Sequence, residues 1–197
     1  MNTKLLIVIP CYNKDEVLPI TAEQFLNALN LLYSKNKILY ENKMLFVNDG
    51  SKDNTWKLIK ELSKKDEHFI GICKSRNRGH QNAVLAGLME AKNCGADITI
   101  SIYCDGQDDI TAMEKMVDEY HNGCGIVYGV RSKRKMDTFF KRFAAEGFYK
   151  VLNWMGAEVV FNNADYRLVS SKVLYDFANF KGGIEHERYF YKKICMD

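Results

Sequence analysis

Three aspartates within five positions are the first residues in this sequence that could do chemistry. Asp105, Asp108 and Asp109 closely follow a short apolar segment, residues 98–102, that is typical of a buried strand. Carboxylates at a strand end are costly unless they are solvated, cap a helix or bind a metal. Hard divalent cations take oxygen ligands and neutralise a diphosphate at the same time. We predict that Asp105 binds a metal ion. For Asp109 the alternative that it caps the following helix stays open.

Two earlier apolar segments, residues 5–9 and 44–47, also end in polar residues. Tyr12 follows the first, and a tyrosine at a strand end can stack flat on a base. Asp49 follows the second, and its carboxylate suits the imide N–H of uracil or the N–H groups of guanine. Two structural alternatives stay open: Tyr12 only covers the core, and Asp49 only shapes the turn. We expect Asp53 to cap the next helix.

A basic loop, residues 74–80, follows a third apolar segment, residues 69–73. Its two arginines, Arg76 and Arg78, stand beside a glycine, and this arrangement suits a diphosphate or a base edge. An ordinary solvated loop explains the same residues equally well, so both interpretations stay open. We expect His80, at the end of the loop, to be structural.

The elements that must position these residues alternate between strand and helix along the chain. This alternation predicts an α/β fold with a mostly parallel sheet covered by helices on both faces. Ligands on such sheets bind at the carboxyl ends of the strands, which is where the polar residues lie. Apolar periodicity predicts strands at residues 5–9, 44–47, 69–73, 98–102 and 125–130, and helices at residues 17–32, 53–64, 81–92, 110–122 and 139–155.

The composition indicates one globular domain over residues 1–197. Apolar residues make up 47% and charged residues 27% of the chain, with two prolines and no Gly/Ser-rich linker. The net charge of +3 comes without a long basic face, so we expect no nucleic-acid partner. The apolar runs fall short of the roughly 18 residues that a membrane span needs. The six cysteines form no C-x-x-C pair, which indicates single buried thiols in a reducing compartment.

Short segments rich in Asn, Asp, Gly, Arg and aromatic residues follow one another in a fixed order: residues 10–13 with Glu16, 48–51, 77–79, 103–108, 128–131, 164–168 and 187–191. The first three segments resemble the motifs P-x-Y-N-E, D-D-G-S and N-x-G of family 2 glycosyltransferases. The last four resemble the segments D-A-D-L-Q-D, Y-G-x-R, G-D-F-R-L and E-R-x-x-F of their polyprenyl-phosphate subgroup. The resemblance is strongest to the polyprenyl-phosphate subgroup, which includes bactoprenol glucosyltransferase and dolichol-phosphate mannosyltransferase.

The sequence departs from the family pattern at four places. Lys14 and Asp15 are inserted before the acid of the first motif, and Asn48 replaces the first aspartate of the second. Tyr103 stands where the D-x-D motif has its first aspartate, which predicts a weaker metal site. The chain stops at Asp197, where members of the subgroup usually continue into membrane helices, so we expect those helices to be missing here.

The resemblance implies a GT-A-type fold and a role for each matching residue. The implied catalytic residues are Asp105, Arg131 and Asp165, and Asp105 and Gln107 would bind Mg²⁺ or Mn²⁺. Arg131, Arg134 and Arg167 would lie near the acceptor and its phosphate. The implied nucleotide-binding residues are Pro10, Tyr12, Asn13, Glu16, Asp49, Asn77 and Gly79.

The implied activity is that of an inverting hexosyltransferase of the cell envelope. It would move a sugar from a nucleoside-diphosphate sugar, with UDP-glucose favoured, to polyprenyl phosphate. The domain would lie in the cytoplasm at the inner face of the cell membrane, and a homo-oligomer is left open. Two alternatives remain: a soluble enzyme acting on a saccharide hydroxyl with Asp165 as general base, and a degenerate domain that binds without turnover. A sugar-phosphate nucleotidyltransferase is disfavoured, because no Gly-rich loop follows the first strand.

Overall fold

The structure is a computed structural model that describes residues 3–130 and 163–179. Strands and helices alternate along most of this part of the chain, as the apolar periodicity predicts. In chain order the elements are β1 (Leu5–Cys11), α1 (Leu18–Ser34), β2 (Lys43–Asn48), α2 (Thr55–Lys65), β3 (Phe69–Cys73), α3 (His80–Asn93), β4 (Ile98–Ser101), α4 (Ala112–His121), β5 (Ile126–Val130), β6 (Asn163–Ser170) and α5 (Ser171–Asn179).

The six strands form one sheet in the order β3-β2-β1-β4-β6-β5. Strands β1 to β4 are mutually parallel, and Val8 of β1 lies opposite Ser101 of β4. Strand β6 runs antiparallel to both of its neighbours, so that Arg167 lies between Ser101 and Tyr128. The predicted mostly parallel α/β sheet is confirmed. The sequence motifs did not predict β6 as a strand, since its pairing is non-local.

Apolar side chains fill both faces of the sheet because residues in a strand alternate between its two faces. On one face Ile7 and Ile9 pack with Phe25 of α1 and Met116 of α4. On the other face Val8 packs against α3 and α5 in a separate cluster. Helices therefore cover both faces, as predicted. Gly87 of α3 allows the close approach on the second face, since a Cβ there would lie 2.2 Å from a methyl of Val8.

Several elements begin or end a few residues away from the predicted positions. Strand β1 continues to Cys11 because Pro10 and Cys11 still pair with β2, and this brings Cys11 to the end of the sheet. Helix α4 begins at Ala112 instead of residue 110, because the carboxylate of Asp109 accepts the N–H and the hydroxyl of Thr111. The predicted helix at residues 139–155 lies outside the described residues.

No helix within residues 3–130 and 163–179 is both long and apolar enough to cross a membrane.

Candidate functional site

A cavity of about 560 Å³ opens at the carboxyl ends of β1, β2 and β4. Its position agrees with the general rule for parallel sheets, because β1 lies between β2 and β4 and the chain reverses its strand order there. Five of the residues predicted to bind nucleotide or metal lie on its wall. The lining residues are Pro10, Cys11, Tyr12, Lys14, Asp49, Asn77, His80, Gln81, Ala83, Tyr103, Cys104 and Asp105.

Asp49 organises the basic loop beside the cavity. Its residue surface is only 3% exposed, and its carboxylate accepts the backbone N–H groups of Arg78, at 3.1 Å, and Gly79, at 2.9 Å. The ammonium of Lys74 lies 2.6 Å from the same carboxylate. The Arg78 N–H also contacts the second oxygen of Asp49 at 3.3 Å, so these three donors occupy all of the roughly four acceptor positions of the carboxylate, and a ligand N–H would have to replace this longest contact. Sequence reasoning missed Lys74 as the counter-ion, although it stands in the same basic loop, two residues before Arg76.

Glycines let the two loops at the ends of β2 and β3 meet backbone to backbone. Gly50 has a φ of +68°, and a Cβ there would lie 2.5 Å from the carbonyl carbon of Arg76. Gly79, also at positive φ, precedes helix α3 and donates its N–H to the side-chain oxygen of Asn77 at 2.8 Å as well as to Asp49. Gly79 therefore acts through its backbone on two residues of the cavity wall.

Asn13 joins the loop after β1 to the loop after β2. Its N–H donates to the hydroxyl of Ser51, and its side-chain oxygen accepts the N–H of Lys52, each at 3.0 Å. The residue has a φ of +50°, a left-handed conformation that asparagine tolerates better than most residues. Tyr12, one position earlier, is 40% exposed and stands on the cavity wall. The structure thus places Tyr12 in the cavity and uses Asn13 to hold the loop.

The three aspartates after β4 point in different directions. Asp105 lines the cavity and accepts the N–H of Gln107 at 3.1 Å. Asp108 is buried and accepts the N–H of Tyr103 at 3.3 Å, while Asp109 binds Thr111. Asp109 therefore serves the helix start, one of the two roles left open for it. Across residues 3–130 and 163–179, no three His, Cys, Asp or Glu side chains are grouped to hold a metal ion.

Asp105 alone still fits one common mode of binding Mg²⁺ or Mn²⁺. Such ions are often held by one or two protein carboxylates together with the phosphates of the substrate. The carboxylate of Asp105 provides hard oxygen donors on the cavity wall, and Gln107, which is exposed, lies two residues further on. This donor set is consistent with a cation that arrives with a diphosphate.

Tyr103 and His80 form one aromatic wall of the cavity. Their ring centroids lie 4.6 Å apart and their planes differ by 13°, so the rings are stacked. His80 is the first residue of α3, and the helix fixes its position. The predicted structural role of His80 fits this packing, but its ring also faces the ligand space. The residue that replaces the first aspartate of the motif is thus an ordered part of the wall.

Other predicted site residues lie away from the cavity or outside the described residues. Glu16 borders a separate hollow of about 370 Å³ with Asp15, Asn54, Lys57, Leu58 and Glu61. Arg167 is only 4% exposed, within the sheet on β6. The backbone of Asp165 lies in the same strand. Arg131 and Arg134 lie outside the described residues. The predicted roles of these residues stay predictions.

Sequence reasoning missed two cysteines that meet at the cavity. Cys11 and Cys104 lie at the ends of the neighbouring strands β1 and β4, and both line the cavity. The thiol of Cys11 donates to the carbonyl oxygen of Ile9 at 3.4 Å, and the thiol of Cys104 lies 3.8 Å from the hydroxyl of Thr21. The position of each cysteine in the sequence was the available signal. Each lies in a motif at a strand end, and neighbouring parallel strands bring such motifs to the same edge of the sheet.

Comparison with known proteins shows the family. The model of "Glycosyl transferase family 2" matches residues 6–177. Glycosyltransferase YkoT of Bacillus subtilis is 46% identical over 170 residues, which cover 86% of this chain and 50% of that protein. A bactoprenol glucosyl transferase of Shigella phage SfX is 32% identical over 175 residues, covering 87% of this chain and 53% of that protein. The chain thus spans about half the length of the curated relatives it matches.

Solved structures agree on the fold. A mannosyltransferase of Pyrobaculum calidifontis in complex with GDP-Man and Mn²⁺ superposes with a TM-score of 0.63 at 15% identity, covering all of this chain and 53% of that one. Glucosyl-3-phosphoglycerate synthase of Mycobacterium tuberculosis, in complex with Mn²⁺, UDP-glucose and phosphoglyceric acid, gives 0.59 at 15% identity, covering 87% and 58%. The fold is that of the GT-A class. The chain belongs to the family 2 glycosyltransferases.

Proposed function

We propose that this domain transfers a hexose from a nucleoside-diphosphate sugar to polyprenyl phosphate at a membrane surface, with UDP-glucose as the favoured donor. The observation that carries the proposal is the cavity of about 560 Å³ at the strand ends, which gathers an aromatic side chain, a buried and a half-buried carboxylate and a lysine. These are the groups that a base, a ribose and a metal-bound diphosphate require.

Different residues of the cavity wall bind the base and the diphosphate of the donor. Tyr12 stacks on the base, and Asp49 accepts a base N–H in place of its longest contact, the one of 3.3 Å with the N–H of Arg78. Lys14, on the same wall, faces the diphosphate with its positive charge. The part of the donor that each residue binds is assigned from the order of these residues along the strand ends.

Asp105, with Gln107 beside it, holds Mg²⁺ or Mn²⁺ in this proposal. When bound, the cation neutralises the charge that develops on the departing nucleoside diphosphate. Asp105 itself positions the cation and the diphosphate relative to the sugar. The acceptor phosphate oxygen attacks the anomeric carbon as the bond from that carbon to the diphosphate breaks, which inverts the configuration.

A lipid phosphate is favoured as the acceptor for two reasons. The bactoprenol glucosyl transferases of Shigella phages match 87% of this chain. A phosphate oxygen is also ionised at neutral pH, so it needs positioning more than a general base. The basic run at residues 131–135, which would attract phosphate headgroups, lies outside the described residues.

The test is a transfer assay with UDP-glucose or GDP-mannose as donor and polyprenyl phosphate in detergent as acceptor. We expect glucosyl-phosphoryl-polyprenol, detected by mass spectrometry, and a rate that Asp105→Asn lowers at least about tenfold. Asp109→Asn is the matched control, because it removes the same charge from the same loop but not from the cavity. Transfer only to a saccharide hydroxyl would contradict the acceptor assignment and favour the alternative in which Asp165 is a base.

A second candidate is a domain that binds a nucleotide sugar without turnover. Tyr103 favours it, because an aromatic ring stacked on His80 replaces a carboxylate of the motif. This candidate predicts nucleotide binding that EDTA leaves unchanged and no product in the transfer assay.

A further inference from the structure

The loops after β2 and β3 present three exposed cations beside the cavity. These are Lys52, Arg76 and Arg78. The two loops contact each other, since a Cβ on Gly50 would lie 2.5 Å from the carbonyl carbon of Arg76. Lys52 follows Gly50 by two residues in the same turn, and Arg78 follows Arg76 by two. The three cations therefore form one patch, which we call the basic rim.

The loop that carries the two arginines is held through its backbone and not through their side chains. Asp49 accepts the backbone N–H groups of Arg78, at 3.1 Å, and Gly79, at 2.9 Å. None of the ion pairs within residues 3–130 and 163–179 includes the guanidinium of Arg76 or Arg78. An exposed guanidinium presents a planar set of N–H donors that matches two oxygens of a phosphate. The loop is thus fixed in place while its two charges face water.

The carboxylates near the basic rim do not cancel its positive charge. Asp49 is buried and already pairs with the ammonium of Lys74 at 2.6 Å. Asp53 is half-buried and accepts two backbone N–H groups. Of the exposed acids, Glu16 borders the separate hollow, and Asp109 follows β4, on the other side of β1. The basic rim is therefore a locally positive surface.

The position of the rim indicates a partner that lies outside the cavity. None of the three cations lines the cavity, although Asn77, which stands between the two arginines, does. A nucleotide inside the cavity would meet Asn77 before it met either guanidinium. The rim and the cavity mouth nevertheless share the carboxyl edge of the sheet, because both are built from loops that follow parallel strands.

We propose that the basic rim is the surface through which the domain binds a bilayer that contains anionic lipids. Exposed lysines and arginines near such a bilayer are attracted by its negative surface potential, and each contributes separately to binding. Binding through the rim brings the cavity mouth to the headgroups. This inference rests on the proposed function in one respect, since it explains how the cavity reaches an acceptor phosphate in a membrane. Binding to the bilayer itself requires neither donor nor acceptor.

The first test is cosedimentation with vesicles of phosphatidylcholine alone and of equal parts phosphatidylcholine and phosphatidylglycerol. We expect binding to the anionic vesicles at low salt and its loss as the salt concentration rises. Arg76→Gln together with Arg78→Gln should lower the partition coefficient at least about tenfold. Thermal unfolding of this variant checks that the loop and the domain still fold.

Lys64→Gln together with Lys65→Gln is the matched control. Both lysines are exposed and end α2 just before β3 begins, so they lie at the opposite edge of the sheet. This pair removes the same charge as the arginine pair and should leave the partition coefficient nearly unchanged. Equal losses in the two double variants would overturn the proposal, because binding would then depend on net charge alone. So would a failure of the unsubstituted chain to bind anionic vesicles.

Two exposed native cysteines report which edge of the sheet faces the vesicle. Cys73 ends β3 directly before the basic loop. Cys124 precedes β5, which runs parallel to β4 because β6 is antiparallel to both, so Cys124 lies at the opposite edge. Anionic vesicles should slow the reaction of Cys73 with a water-soluble maleimide and leave that of Cys124 unchanged, as measured by peptide mapping. Equal slowing at both, or slowing at Cys124 alone, would contradict the orientation.

Calorimetry with UDP separates the rim from the donor site. The variant with Arg76→Gln and Arg78→Gln should bind UDP with the same Kd as the unsubstituted chain. Weaker UDP binding together with unchanged vesicle binding would assign the arginines to the donor and overturn the proposal. If the unsubstituted chain binds anionic vesicles through the rim but transfers no sugar to polyprenyl phosphate, the proposed function fails and the membrane surface stands.

Discussion

Asp49 has two tasks at the level of a single residue. Its carboxylate holds the loop after β3 through the N–H groups of Arg78 and Gly79 and an ion pair with Lys74. The same carboxylate stands on the cavity wall, where the proposal assigns it to a base. A residue with both tasks links the stability of the loop to the shape of the binding site. A substitution there should therefore affect folding even when no ligand is present.

Asp49→Asn should lower the free energy of unfolding by about 1–3 kcal/mol, since an amide replaces one accepting oxygen and leaves the buried Lys74 ammonium without its counter-charge. Urea unfolding followed by circular dichroism measures the change. Asp109→Asn is the control, because Asp109 is exposed and its oxygen can still accept from Thr111. Equal stabilities of the Asp49 variant and the unsubstituted chain would show that the carboxylate does not hold the loop.

Asp53 gives a prediction about pH. Burial alone would raise the pKa of its carboxyl, but hydrogen bonds from Thr55 and Asp15 outweigh this effect and lower the pKa below the ordinary value of 3.8. A lowered pKa in the folded state means that the stabilisation is fully present above pH 3.8 and is lost as the pH falls through the folded-state value.

Asp53→Asn should therefore cost about 1 kcal/mol of unfolding free energy at pH 7, and less as the pH falls below about 3.8. Urea unfolding of both proteins between pH 7 and pH 3 gives the difference at each pH. A difference that grows toward acid would contradict the assignment of these hydrogen bonds to the ionised carboxylate.

Loops, more than strands, decide the geometry of the site at the level of secondary structure elements. The loops after β1 and β2 are joined through Asn13, and the loops after β2 and β3 meet at Gly50. Strands only set the positions from which these loops start. The loop after β4 adds Tyr103 and Asp105, so four loops that follow adjacent parallel strands form the cavity wall.

Gly50→Ala tests the contact between the loops that follow β2 and β3. Its φ of +68° and its closeness to the backbone of Arg76 both oppose a Cβ. Gly95 is a matched control, since its φ is +66° but nothing lies within 4 Å of the added Cβ. Gly95→Ala should cost about 1–2 kcal/mol from conformation alone. Gly50→Ala should cost at least about 1 kcal/mol more. Equal losses in thermal unfolding would show that the loops do not touch.

The sequence predicts the elements with local signals and misses the pairings between distant segments. Strands β1 to β5 and helices α1 to α4 follow from apolar periodicity, which a window of a few residues contains. Strand β6 pairs with β4 and β5, which lie more than 30 residues earlier in the chain, so a local sequence pattern does not predict this pairing. For the same reason Tyr12, Asp49 and Asp105 were found as single strand-end residues. That Cys11 and Cys104 line the same cavity could be seen only from the strand order.

At the level of the whole molecule, the sheet order determines where the cavity lies. The chain runs outward from β1 to β2 and β3 and then crosses back to β4 on the other side of β1, and this reversal opens a gap above β1. Helices on both faces bury the sheet and leave its carboxyl edge accessible. The central claim is that this edge holds a nucleoside diphosphate together with a divalent cation.

Bound donor should stabilise the whole domain, because it binds the folded chain only. At a free concentration of 100 times its Kd, a nucleotide adds about 2.7 kcal/mol to the unfolding free energy. Differential scanning fluorimetry with UDP and Mn²⁺ should therefore show a clear rise in Tm. Asp105→Asn should remove the rise, whereas Asp109→Asn should keep it. An equal rise in both variants would place the bound nucleotide away from Asp105.

Calorimetric titration with UDP, GDP, UDP-glucose and GDP-mannose, each with Mn²⁺ and with EDTA, tests the central claim most directly. We predict that the uridine nucleotides bind, that EDTA weakens their binding, and that Asp105→Asn weakens it to a similar extent. The absence of binding by every nucleotide to a chain that circular dichroism shows to be folded would contradict the donor site.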